Sequence, residues 1–83
     1  ASHHAVAWIE SLASRPVGAR GSLEGLRAAF GRPFPEAGMD ATAVIDELAA
    51  AAEPGLNASA SGRFFAWVIG GGVPAAVAAD WLA

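Results

Sequence analysis

The chain carries two adjacent imidazoles, His3 and His4, the side chain that most often holds a transition metal. Neighbouring residues point to different sides of a helix, and the sequence offers no Cys and no third His. A closed metal site needs more donors converging on one point, so no metal ligand is expected. Ser, His and Asp all occur, yet none stands in the context of a nucleophile elbow, and no catalytic residue is assigned. Gly70-Gly71-Gly72 lacks both the spacing of a dinucleotide loop and the Lys-Ser/Thr of a phosphate loop. It reads as a plain turn, with the helix start behind it as a weaker anion-site alternative. Asn57-Ala58-Ser59 matches the glycosylation pattern, which carries weight only beside a secretory signal. All five basic residues are Arg: Arg15, Arg20, Arg27, Arg32 and Arg63. Without a Lys the chain cannot supply the imine of a Schiff-base enzyme, and no cofactor-binding residue is expected in it.

The most informative cluster is aromatic. Arg63-Phe64-Phe65-Ala66-Trp67-Val68-Ile69 is rich in aromatic and β-branched residues, with neither helical period nor strict alternation. It predicts a short extended segment buried on both sides. In such a segment Phe65 and Trp67 share one face and Phe64 takes the other. Core packing and an intersubunit wall are both open to these rings. Arg63 beside them reads as a solvated strand end or as a partner for a carboxylate or phosphate.

These residues need elements to hold them. The 83 residues allow one small domain at most. The hydrophobic fraction is 54%, but about half of it is Ala, which buries little area. A core of this kind competes poorly with chain entropy, and there is no disulfide to help. Net charge is −3 and the arginines are scattered, so neither a nucleic-acid footprint nor a nucleic-acid partner is expected. No apolar run is long enough to span a membrane, and no basic-then-apolar leader opens the chain. Together with the lack of Cys, this gives a cytoplasmic expectation.

The periodicity predicts a mainly α chain: three amphipathic helices, one short extended aromatic segment and one further helix. Ser2 is placed as the cap of the first helix, with Ala5, Trp8, Ile9 and Leu12 as its stripe. Ser14-Arg15-Pro16-Val17-Gly18 stops that helix. Ser22 caps the second, whose stripe is Leu23, Leu26 and Phe30, with Gly31 at its end. Arg32 to Gly38 is a Pro-rich extended connector. Asp40 caps the third helix, whose buried face is expected to be Ala41, Val44, Ile45, Leu48 and Ala52. Glu53-Pro54-Gly55 ends it, and Asn57 to Gly62 is a small polar loop. Pro74 opens the last helix. Its stripe, Val73, Val77 and Trp81, continues to Ala83 with no stop signal, so the chain reads as part of a longer protein.

Two resemblances arise. Gly38-Met39-Asp40 is similar to the opening of the second helix of acyl carrier proteins. The next residue is Ala41 rather than the Ser that takes the phosphopantetheine arm, so that activity is not expected. From Arg63 to Ala83 the chain resembles the N-terminal part of the group II pyridoxal-phosphate-dependent decarboxylases. These are the aromatic-L-amino-acid, tyrosine and glutamate decarboxylase-like enzymes, whose bacterial members are often labelled an aspartate aminotransferase family. The shared features are the Phe-Phe segment, a turn of small residues, then Pro74-Ala75 and an Ala79-Asp80-x-Leu82 helix. Upstream, Ser14-Arg15-Pro16-Val17, Phe34-Pro35-Glu36-Ala37-Gly38 and Val44-Ile45-Asp46-Glu47-Leu48 also resemble the family.

The resemblance implies that residues 1–83 form the N-terminal helical arm of a fold-type I enzyme, without a complete catalytic domain. The parent would be a homodimeric carboxy-lyase acting on an amino acid with pyridoxal 5′-phosphate. The arm would pack on the second subunit and on the catalytic domain. By position, Phe65, Trp67, Val68, Ile69 and Gly70 would fall at the substrate entrance. Ile69 stands where the aromatic type has Pro, Gly70 where it has Thr, and the turn is about one residue shorter. The alternative is a free-standing helical interaction module without catalysis.

Overall fold

A computed structural model describes residues 1–67, 69 and 71–83. The protein is mainly helical: α1 is Ser2–Ser11, α2 Leu23–Phe30, α3 Ala41–Ala52 and α4 Pro74–Leu82, with one 3-10 turn at Glu53–Gly55 after α3. Among the described residues there is no strand, and no helix is long and apolar enough to cross a membrane.

Local chemistry sets most of the helix ends. The Ser22 hydroxyl accepts from the Gly25 N–H at 3.0 Å, and the Asp40 carboxylate accepts from the Ala43 N–H at 3.1 Å. Each satisfies one of the N–H groups a helix start leaves unpaired. Pro74 is the first residue of α4, where its missing N–H costs nothing. Ser2 does not cap α1. It is already helical, because the Ala1 carbonyl accepts from His4 and Ala5, and its side chain makes no capping bond.

α2 packs against α3, but the expected buried face of α3 is open. Val44, Ile45 and Leu48 are exposed, while the small residues Ala43, Ala49, Ala51 and Ala52 are the half-buried ones. Of the larger side chains of α2, Leu26 is half-buried and lies against Gly55 just beyond α3, whereas the large side chains of α3 find no opposing layer. Val44 and Leu48 instead line an open groove of about 510 Å³ with Phe30 and the Pro33-Phe34-Pro35 connector.

Among the described residues only Ala58 and Ser61 are buried, and both lie in the small polar loop. The Ala58 N–H donates to the Val17 carbonyl at 2.8 Å, and the Pro54 carbonyl accepts from both Arg20 and Gly21. The Asn57 side chain accepts from the Ala19 N–H at 2.8 Å. Gly21 makes a close approach here: a Cβ would sit 3.0 Å from the Pro54 side chain and 3.1 Å from the carbonyl oxygen it donates to, so Pro54 would have to give by a few tenths of an ångström. The centre of the chain is therefore two irregular segments, 12–21 and 53–63, joined by backbone hydrogen bonds.

Candidate functional site

Arginine organises that centre. Arg15 follows the C-terminal end of α1, and its side chain is only 11% exposed. Its guanidinium lies 3.5 Å above the Trp8 ring, donates to the Ser11 hydroxyl at 2.9 Å and pairs with Glu53. The planar guanidinium suits all three at once: a face for the ring and N–H groups in its plane for oxygen. Arg20 reaches the same Glu53 carboxylate at 3.5 Å. Arg63 donates to the Leu12 and Arg15 carbonyls, at 3.1 and 2.6 Å. It therefore satisfies carbonyls left open just after α1 ends, rather than ending a strand.

Of the residues expected at a substrate entrance, Phe65, Trp67 and Ile69 do not form a strand. Turns flank Phe64 and Phe65, and Trp67 has a φ of 55°, in the left-handed region that costs an L-residue about 1–2 kcal/mol. The turn breaks the i, i+2 relation. Trp67 comes back to Phe64, with ring centroids 5.9 Å apart, while Phe65 stands alone at 92% exposure. Burial on both sides is likewise corrected, because Phe65, Trp67 and Ile69 are all exposed. A single extended segment has no partner strand here to satisfy its backbone, and a turn bonded within itself replaces it. Val68 and Gly70 lie outside the described residues. Gly71, at a φ of 75°, enters the same region without the steric cost that a side chain brings.

A second cluster joins α1 to α3. The His4 Nε2 is 2.6 Å from the Asp46 Oδ1, and the His3 Nε2 is 3.8 Å from the same oxygen. The two imidazole centroids are 4.1 Å apart. The hydrogen bond from His4 is the strongest influence on the Asp46 carboxyl; desolvation comes next and opposes it, and the charges of His4, His3 and the chain's N-terminal amine add to the hydrogen bond, so the carboxyl is held below its ordinary value. Adjacent histidines on a helix thus converge after all, because long side chains lean over the same edge of α1 towards one carboxylate. In the sequence Asp46 stood out only within the Val44 to Leu48 stretch that resembles the decarboxylases. No spacing rule links it to residues more than 40 positions earlier.

Comparison with protein-family models, with curated proteins and with solved structures finds no match to this chain.

Proposed function

We propose that this chain is the N-terminal helical arm of a pyridoxal-phosphate-dependent amino acid decarboxylase. Its role is to pack on a second subunit and on the catalytic domain, and to contribute part of the substrate entrance. The observation that carries the reading is surface. The chain exposes 6381 Å², whereas a compact monomer of 8.3 kDa exposes about 4,600 Å². The excess of roughly 1,800 Å² matches one partner's share of an obligate interface. The radius of gyration of 14.9 Å also exceeds the roughly 12 Å of a compact chain this long.

The motifs from Arg63 to Ala83 give the partner its identity. The residues present do not fit the cofactor: with no Lys there is no amine side chain to bind it as an imine. Cofactor and chemistry belong to the rest of the enzyme. The arm's own contribution is the exposed apolar turn of Phe65, Trp67 and Ile69, which excludes water and shapes the space a substrate enters. Val68 and Gly70 belong to that stretch by position.

A free-standing interaction module is the second reading, favoured by the Arg15, Glu53 and Arg63 ties, which hold helices together without a catalytic domain. Sedimentation and thermal melting of the isolated 83-residue chain separate the two. The arm reading expects self-association or a broad, weakly cooperative transition. A sharp cooperative melt from a monomer at micromolar concentration overturns it in favour of the module.

A further inference from the structure

The His3, His4 and Asp46 cluster is not used by the function proposed above. Its three donor atoms lie within 4.8 Å of one another. Tetrahedral ligands about 2.0–2.1 Å from zinc stand about 3.4 Å apart. The observed separations from the shared carboxylate oxygen, 2.6 Å to His4 and 3.8 Å to His3, bracket that value. Small rotations suffice to close the set, and these side chains are free to make them: His3, His4 and Asp46 are 69%, 35% and 51% exposed.

We propose that His3, His4 and Asp46 bind one divalent transition-metal ion, with zinc the best match, and that the ion clips α1 to α3. Two imidazole nitrogens and one carboxylate oxygen are the donors borderline metals take. Magnesium and calcium prefer oxygen alone, and copper(I) prefers sulfur. The carboxylate is already charged at neutral pH, as a ligand must be. Three protein donors leave a fourth position to water. His4 and Asp46 also border an open cleft of about 660 Å³ between α1 and α3, through which ion and water reach the site. The ion replaces the hydrogen bond from His4 to Asp46 with two metal bonds.

Zinc titration of the protein at its natural length, followed by calorimetry, tests the site, with cobalt as a spectroscopic stand-in. One high-affinity equivalent is expected for these three residues, with a tetrahedral cobalt absorption and a raised melting temperature. Loss of an outer partner of a metal ligand costs roughly 10–100-fold in affinity, so Asp46→Asn and His4→Ala, each removing a ligand, should lose at least that much. Asp46 is exposed and His4 half-buried, so unchanged helical circular dichroism without zinc is required of both variants, and Asp46→Asn carries the test if His4→Ala fails it. Asp46→Asn also separates this site from a chelate made by the neighbouring histidines alone. The proposal is overturned if zinc does not bind at neutral pH, or if Asp46→Asn binds it as tightly as the parent. Neither outcome bears on the decarboxylase reading.

Discussion

Residues 1–63 and residues 64–83 are held by different means. In the first stretch, helices with almost no core are tied by arginine, carboxylate and backbone carbonyls: Arg15 to Glu53, Arg63 to the end of α1, Ala58 to Val17. In the second, the Phe64 N–H donates back to Ser61. Beyond it, among the described residues, no hydrogen bond or ion pair joins the aromatic turn or α4 to the rest. α4 leaves Trp81 and Leu82 exposed. Polar ties with fixed geometry can set the relative placement of short helices when area burial is too small to do so. A stretch lacking both ties and core takes its final packing from whatever covers it.

The largest expected effect lies in the tied region. Arg15→Ala removes a cation–π contact, two hydrogen-bonded partners and the charge facing Glu53, which remains half-buried. A loss of about 2–3 kcal/mol is expected, below the full penalty of a buried pair because Glu53 is partly solvated. The internal standard is Arg32→Ala, which breaks an exposed pair with Glu47 and should cost under about 1 kcal/mol. Chemical denaturation of both variants measures the difference. Equal losses would mean that the Arg15 centre ties nothing.

In the second region, Phe65→Ala and Trp67→Ala should change the stability of the isolated chain by less than about 0.5 kcal/mol, as exposed positions do. Under the proposed decarboxylase reading, Trp67→Ala in the parent enzyme should lower kcat/KM while leaving the melting temperature nearly unchanged. Because the turn pairs Trp67 with Phe64, Phe64→Ala should follow Trp67→Ala, and Phe65→Ala should stand apart. If Trp67→Ala melts far below the parent while kcat/KM is normal, Trp67 is a core residue and the entrance role fails.

The smallest effect is electrostatic. Asp46 has a lowered carboxyl pKa in the fold. A depressed acid contributes stability that is present above its unfolded pKa and lost as pH falls through its folded one. The contribution should therefore hold at neutral pH and fade below about pH 4. Acid melts of the parent should lose stability more steeply there than those of Asp46→Asn. Identical slopes would place Asp46 out of contact with the histidines in solution.

Features written in adjacent residues were legible in the sequence. Ser22, Asp40 and Pro74 start their helices, Pro54-Gly55 follows closely on the end of α3, and Arg32 to Gly38 stays irregular, because capping and proline act within a few residues; α1 ends at Ser11, ahead of the expected stop at Ser14 to Gly18. Relations across the chain were not. Glu53 meets Arg15 from 38 positions away, and Asp46 meets His4 from 42, by way of a loop path no period encodes. The α3 stripe was a true amphipathic pattern, but a pattern names a face without naming its cover. At Phe64 to Ile69 the residue types favour a strand, and the lack of any strand to pair with overrides them. The loop at Asn57 to Gly62 looked inert because small polar residues form no hydrophobic pattern, yet its size lets two backbones meet there.

Phe34 stands at 96% exposure between Pro33 and Pro35, in the connector leading from α2 to α3. Each proline ring fixes one backbone torsion, and the residue before Pro35 is itself confined to extended conformations. The backbone around this ring has therefore already given up most of its freedom. A surface that takes in Phe34 has little left to order beyond the ring's own two torsions, so more of the contact energy remains as affinity. Replacing both prolines with alanine would leave every atom of Phe34 in place and still weaken its capture, through entropy alone.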